Sequence, residues 1–184
     1  MNYQRQAFRP DIDKQIITLV KESCGTRSIS RILTIAPNTV TSRIKQIASR
    51  IQFPCLIKGR SYEVDELITY IGKKESRYCL TYALDRTTKD VVSFSVGRRT
   101  KKTLGVVVNT LLLSEAKEIR TDRLSLYLGL IPKEIHHVKQ RGINSIERKN
   151  LTLRTHLKRL NRRTIAYSKS MAMLLAVVRI YFWC

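Results

Sequence analysis

Apolar residues recur at helical spacing through the first part of the chain. Between residues 11 and 50 they form three groups whose members lie three or four positions apart. The first break contains Gly25 and the second contains Pro37, and both residue types commonly interrupt helices. The pattern predicts three short helices joined by tight turns, as in a helix-turn-helix.

The predicted third helix, residues 39–49, has a polar and basic outer face. In a helix-turn-helix this helix enters the major groove of DNA and presents side chains to bases and phosphates. The alternative is a three-helix appendage whose charged face is only solvated. The residues available for DNA contact are Thr39, Thr41, Ser42, Arg43, Lys45 and Gln46.

Residues 52–60, which include Pro54, interrupt the helical period, and a period of two follows. It predicts strands at residues 62–71, 78–84 and 91–96, with turns at 72–74 and 85–90. Beyond them we expect a helix at 100–113, a strand at 118–122, a helix at 124–130, a strand at 135–139, a long helix at 144–160 and a last helix from about 168. Hairpin-linked strands followed by alternating units predict an α/β (α+β) fold, a mixed sheet with helices on its faces. The predicted domains are 1–51 (helix-turn-helix), 52–60 (connector) and 61–184.

Charge narrows the class of partner. The chain has 35 Lys and Arg against 14 Asp and Glu, a formal charge of +21, which favours binding to a polyanion. Nucleic acid is the first candidate, although a ribosomal or membrane-surface protein would share the excess. The four cysteines lie far apart, which indicates neither a zinc site nor a disulfide framework. The apolar tail from residue 171 is too short to span a bilayer, so we expect a cytoplasmic protein without a membrane partner.

Acidic residues become rare toward the end of the chain. Residues 135–184 contain eleven Lys or Arg and a single acid, Glu147. A helix dipole would favour an acid at this early helical position. The functional alternative is metal-dependent phosphoryl transfer, in which carboxylates hold divalent ions while cations hold the phosphodiester. Asp65 in the first strand, Asp122 at the end of the fourth and Glu147 on the long helix would converge on one site.

Other polar residues are secondary candidates. Glu66 is next to Asp65 but points to the other side of a strand, and Asp85 and Asp90 fit ordinary turn chemistry. His136 and His137 precede the long helix and are candidate auxiliary groups, with a structural role as the alternative. Along the long helix one face carries Glu147 together with the candidate DNA contacts Asn150, Arg154 and Lys158, while leucines form another face.

Several segments in this order resemble the insertion sequence One family of bacterial transposases. They cover roughly residues 63–183: Val64-Asp65-Glu66-Leu67, Tyr70-Ile71-Gly72-Lys73-Lys74, Tyr82-Ala83-Leu84-Asp85-Arg86, Thr121-Asp122-Arg123-Leu124 with Tyr127, and Ile146-Glu147-Arg148-Lys149-Asn150-Leu151 continued through Arg154 and Lys158 to Ser170. The short interval between Asp122 and Glu147 is similar to the second spacing of that family. Ile68 stands where an aromatic residue is often found. The cysteine-rich zinc-binding segment that often begins family members has no counterpart in this sequence.

The resemblance implies a ribonuclease H-like catalytic domain with a DDE triad formed by Asp65, Asp122 and Glu147. It further implies two Mg²⁺ ions, which Mn²⁺ could replace, hydrolysis at the element ends, and attack of the freed 3′ hydroxyl on target DNA. We therefore expect a transposase that binds inverted repeats in duplex DNA, works as a dimer or larger homo-oligomer, and is associated with the nucleoid. The alternatives are a helix-turn-helix regulator with an inactive transposase-derived domain, and a structure-selective nuclease that does not join strands.

Overall fold

The computed structural model describes residues 9–138, 144–161 and 163–184. Three short helices come first: α1 (Ile12–Lys21), α2 (Thr26–Leu33) and α3 (Pro37–Arg50). Helices α1 and α3 bury their apolar stripes, and α2 buries Ile29 but leaves Ile32 exposed. Pro37 occupies the first turn of α3, where its missing N–H leaves no hydrogen bond unmade. Three short helices therefore lie where the spacing predicted them, and their role in DNA binding stays a prediction.

A five-stranded sheet follows, with the strand order β3-β2-β1-β4-β5. The strands are β1 (Ser61–Ile71), β2 (Lys73–Asp85), β3 (Val91–Gly97), β4 (Glu118–Thr121) and β5 (His136–Val138). The first three form antiparallel hairpins, whereas β4 and β5 add in parallel beside β1. The sheet is thus mixed, as the strand pattern of the sequence predicted.

Helices cover both faces of this sheet. Helix α4 (Lys101–Leu113) packs on one face, against a cluster that includes Tyr62 and Ile119. Helices α5 (Asn144–His156) and α6 (Met171–Trp183) contribute to a second cluster on the other face, with Leu67 and Tyr82. The second cluster continues into the three N-terminal helices, because α6 packs against α3 and α1. The apolar tail of the chain, which forms α6, is therefore part of the core.

Two predicted helices are shorter than the sequence suggested. The helix expected at residues 124–130 is only a 3₁₀ turn, Ser125–Tyr127, since Gly129 has a left-handed backbone with φ of 79° and Leu128 bridges to Ile131. Helix α5 ends at His156 rather than at residue 160, because the backbone of Leu157 leaves helical geometry (φ −116°, ψ 88°). A 3₁₀ turn, Lys158–Leu160, follows, so Lys158 does not continue the helical face of Glu147 and Asn150.

The strand boundaries also differ from the prediction. Strand β2 begins at Lys73, so the turn after β1 is reduced to Gly72, whose φ of 76° is readily available to glycine. Strand β5 covers His136–Val138 of the segment predicted at 135–139, and Lys139 lies outside the described residues. Residues 52–60 contain neither helix nor strand, as expected of a connector, while the predicted domain limits remain an interpretation.

Candidate active site

The pairing of β1 with β4 brings two distant acids together. The strands run parallel and pair at Ser61–Glu63 and Glu118–Arg120, and Asp122 directly follows the end of β4. The Asp122 carboxylate accepts the backbone N–H of Leu124 at 2.9 Å, which fixes the turn after the strand. Carboxylate oxygens of Asp65 and Asp122 lie within 4.8 Å of each other. The structure therefore joins two of the three predicted acids.

Glu66 completes this acidic cluster, contrary to the prediction that strand alternation takes it away. Its carboxylate lies within the same 4.8 Å limit of both Asp65 and Asp122. The pairing of β1 with β4 stops at Glu63, so adjacent side chains can approach each other around the open strand edge. Alternation fixes the directions of Cβ atoms, and the end of a glutamate side chain can still turn toward that edge.

Glu66 is held firmly in place. Its side chain is only 2% exposed, accepts a hydrogen bond from the Tyr127 hydroxyl and pairs with Arg99 at 3.3 Å. Burial raises the pKa of Glu66, and the charges of Asp122 and Asp65 add to this effect, against the lowering by Tyr127 and Arg99. A divalent cation in the cluster would favour the ionised carboxylate.

Asn150 connects α5 to the acidic cluster. Its amide Nδ2 donates to Asp65 Oδ2 at 2.6 Å, while its Oδ1 accepts from the Tyr82 hydroxyl at 2.7 Å. Burial is the main cause of the raised pKa of Tyr82, which keeps this hydroxyl a donor. Asn150, predicted as a DNA contact, therefore lies against a carboxylate of the cluster and orients it.

Glu63 is a structural acid that the sequence reasoning missed. It is 1% exposed, accepts the backbone N–H of Ile146 at 3.1 Å and pairs with Arg86 Nε at 3.4 Å. Its signal was its position two residues before Asp65, which places both side chains on the same strand face. Glu63 thereby anchors the first turn of α5 to β1.

Glu147 is separate from the cluster in this structure. It is exposed on α5, one turn before Asn150, and the group of acids within 4.8 Å does not include it. Arg154 lies one turn after Asn150 and is partly buried. Its charge opposes the rise in the pKa of Tyr82 that burial causes. Lys158 lies beyond the end of α5, where its backbone N–H donates to Ser23 Oγ at 2.9 Å.

The two histidines have different surroundings. His136 Nε2 hydrogen-bonds Thr121 Oγ1 at 2.8 Å, beside Asp122, and its ring lies 6.5 Å from that of Tyr127. Burial lowers the pKa of His136, and the neighbouring His137 adds to the effect. His137 is exposed, with Nε2 4.0 Å from Glu118 Oε1. Only His136 is next to a residue of the cluster.

The predicted recognition residues lie on α3 with different exposures. Ser42, Lys45 and Gln46 are exposed, whereas Thr39 and Thr41 are partly covered. Arg43 pairs with Asp13 of α1 at 3.4 Å, a contact that ties α3 to α1.

Comparison with known proteins places this site in a family. The profile of the IS1 transposase family matches residues 60–183, which include every acid of the cluster, Asn150 and Glu147. The chain belongs to the IS1 transposase family. This confirms the resemblance seen in the sequence. The insertion element IS1 2 and IS1 3 proteins InsB of Escherichia coli (strain K12) are each 37% identical to this chain over 136 residues, 74% of this chain and 77% of theirs.

Two solved structures align with this member of the IS1 transposase family at 16% identity. One is the HTLV-2 integrase catalytic core domain in complex with magnesium in its trimeric form, with a TM-score of 0.41 over 70% of this chain and 86% of that chain. The other is the simian T-cell lymphotropic virus intasome in complex with PP2A regulatory subunit B56 gamma, with a TM-score of 0.43 over 89% of this chain and 66% of that chain. Among the described residues, no helix is long and apolar enough to cross a membrane.

Proposed function

We propose that this member of the IS1 transposase family cuts and joins DNA strands at the ends of its element, using divalent metal ions held by Asp65, Asp122 and Glu147. The observation that carries the proposal is the approach of Asp65 and Asp122 to within 4.8 Å, although the two residues are far apart in sequence. Metal-dependent phosphodiester chemistry needs carboxylates that hold the metal ions and cations that hold the phosphates. This chain gathers carboxylates at one edge of its sheet and has a charge of +21.

The donor set fits Mg²⁺, with Mn²⁺ as a substitute. Carboxylate oxygens are the hard ligands that these ions prefer. Three carboxylates lie together here, and Arg99 provides a cationic contact to one of them. A bound cation would relieve their mutual repulsion. Two bound Mg²⁺ ions would activate the attacking oxygen and stabilise the leaving oxygen of the phosphodiester.

The chain's own residues prepare this site. Asn150 orients the Asp65 carboxylate, and Tyr82 fixes the orientation of Asn150. Glu147 is one turn from Asn150, and side chains at this separation have Cβ atoms about 5–6 Å apart. Rotation of the exposed Glu147 side chain would carry its carboxylate toward Asp65. We therefore keep Glu147 as the third ligand and assign Glu66 to supporting the cluster from the opposite face of the strand.

DNA would be held by polar and basic side chains outside the acidic cluster. Arg154 is one turn beyond Asn150 on α5, and the exposed face of α3 offers Ser42, Lys45 and Gln46 to the inverted repeats. Lys158 is exposed beyond α5 and would contact a more distant phosphate. Joining two element ends in one reaction requires at least two catalytic chains on the DNA, so we propose a dimer or larger assembly. His136 would have an auxiliary role, through its hydrogen bond to Thr121, the residue before Asp122.

Strand cleavage in vitro tests the proposal. Linear duplex DNA that carries the sequences flanking the gene is incubated with the protein, with and without Mg²⁺ or Mn²⁺. We expect metal-dependent nicking and joined products from the unmodified protein, and at least about a hundredfold loss in Asp122→Ala, because removing even outer partners of metal ligands costs 10- to 100-fold.

The matched control is Glu75→Gln, which changes an exposed acid near the start of β2. It should retain both products. DNA binding without cleavage in any metal would contradict the proposal and favour a regulator, whereas cleavage without joined products would favour a nuclease.

A further inference from the structure

A basic cavity lies on the other flank of α5, away from the acidic cluster. Its volume is about 330 Å³, and its described lining consists of Leu84, Lys89, Ser145, Arg148, Lys149 and Thr152. Three of these side chains are cations, two are hydroxyls, and the described lining contains no carboxylate. Such a lining suits a phosphate, whose oxygens accept hydrogen bonds from ammonium, guanidinium and hydroxyl groups.

The turn between β2 and β3 brings Lys89 to this cavity. Asp85 caps the turn by accepting the backbone N–H groups of Thr87 at 2.7 Å and Thr88 at 3.2 Å. Lys89 itself has a left-handed backbone, with φ of 65°, a conformation that is uncommon outside glycine. Its Nζ then donates to Ser145 Oγ at 3.0 Å, at the start of α5. The strained turn thus fixes a cation opposite Arg148 and Lys149.

Helix α5 contributes residues to both sites. Ser145, Arg148, Lys149 and Thr152 each lie three or four positions from two of the others and form one stripe, while Glu147, Asn150 and Arg154 form another. The buried residues Ile146 and Leu153 lie between the two stripes on the core side. A helix with its side chains is about 10–12 Å wide. At about 3.4 Å per base pair, a duplex crossing the exposed side of α5 would span this width in about three base pairs.

We infer that the cavity bounded by Lys89, Arg148 and Lys149 is a phosphodiester-binding site for duplex DNA that lies across α5 from the acidic cluster. The inference rests on the proposed function, since it takes the DNA to be the substrate of that cluster. The site contributes to holding the duplex and takes no part in bond cleavage.

The salt dependence of DNA binding tests this site separately from catalysis. A fluorescein-labelled duplex of arbitrary sequence is titrated with the protein in EDTA, where metal-dependent cleavage does not occur, and the affinity is measured at several salt concentrations. Each phosphate contact contributes about 0.9 to the slope of log K against log salt. The double variant Lys89→Gln/Arg148→Gln removes this one phosphate contact and should therefore flatten the slope by about 0.9, so that the affinity lost between about 50 and about 200 mM salt becomes roughly three- to fourfold smaller.

Two further variants make the result specific to the cavity. Lys102→Gln/Lys117→Gln removes the same charge from two exposed lysines on other parts of the surface and should leave the slope unchanged. Thr152→Phe leaves the charge unchanged but fills the cavity, and it should flatten the slope by about 1. Circular dichroism verifies that each variant is folded. The inference would be overturned if the two double variants had equal effects, or if the slope were unchanged in Lys89→Gln/Arg148→Gln or in Thr152→Phe. It would also be overturned if the unmodified protein did not bind DNA. These outcomes count whether or not the protein cleaves DNA.

Discussion

At the scale of single residues, the central question is which glutamate completes the site formed by Asp65 and Asp122. Glu66 is buried, is bonded to Tyr127 and Arg99, and already lies in the cluster. Glu147 is exposed and belongs to the turn of α5 that also presents Asn150. Glu66, which is held in place, is suited to set the charge of the site. Glu147, which is exposed, is suited to move toward a bound ion and become its ligand.

Isosteric variants separate these two roles. Glu147→Gln should reduce DNA cleavage by about a hundredfold or more at every Mg²⁺ concentration, because a ligand is lost. Glu66→Gln should raise the Mg²⁺ concentration needed for half-maximal cleavage by about 10- to 100-fold and keep most of the activity at saturating metal. Cleavage rates over a Mg²⁺ titration check both. If the two variants exchanged these behaviours, Glu66 rather than Glu147 would be the third ligand.

At the scale of elements, a set of ion pairs joins the strands that position the acids. Arg86, which follows β2, contacts Glu63 of β1 at 3.4 Å and Glu118 of β4 at 3.1 Å. Glu118 also accepts from Arg120 on its own strand. Burial raises the pKa of Glu118, but the hydrogen bond and charge of Arg120, together with the charge of Arg86, outweigh it and hold this pKa below its ordinary value.

This lowered pKa predicts a pH-dependent contribution to stability. A carboxyl group whose pKa is lower in the folded state stabilises the fold above its unfolded pKa and loses that effect as the pH falls through its folded pKa. Glu118→Gln should therefore lower the free energy of unfolding by about 1–2 kcal/mol at neutral pH, with the difference shrinking in acid. Urea unfolding across this pH range measures it. Glu134→Gln, an exposed change, should have little effect, and a difference for Glu118→Gln that grew in acid would contradict the account.

At the scale of the whole molecule, α6 joins the N-terminal helices to the sheet. It packs against α3 and α1 on one side and β3 on the other, and all of them contribute to one apolar cluster. Trp183 at its end contacts Phe53 of the connector and Phe94 of β3 and donates to the backbone carbonyl of Val91. We therefore expect the helices and the sheet to unfold together.

Two adjacent leucines on α6 test this coupling. Leu174 is fully buried, and Leu174→Ala should cost about 2–5 kcal/mol of stability, because it removes buried methyl groups and leaves a cavity. Leu175 is 36% exposed, so Leu175→Ala should cost clearly less. Denaturant unfolding is followed by circular dichroism and by fluorescence of Trp183, the single tryptophan. Separate transitions for the two signals would show that the N-terminal helices and the sheet are independent.

The sequence by itself determined the family and most of the elements, although not the helix expected at residues 124–130. Apolar residues three or four positions apart predicted α1 to α3, and apolar residues at every second position predicted the hairpins. Both patterns can be read locally, because the direction of each side chain follows from the geometry of the helix or strand that carries it. Glu147 stood out as the single acid of residues 135–184, and Asp65 and Asp122 stood out because their positions in the predicted strands could bring them to it. The segments around them carried the resemblance to the IS1 transposase family, which the comparison confirmed.

Only the tertiary structure decided which of these side chains meet. Glu66 entered the cluster because the pairing of β1 with β4 stops at Glu63, and Asn150 reached Asp65 because α5 crosses the sheet at that point. The early end of α5 removed Lys158 from the helical face. Strand order, the extent of pairing and the placement of a helix depend on contacts between distant segments, and local periodicity carries no information about them.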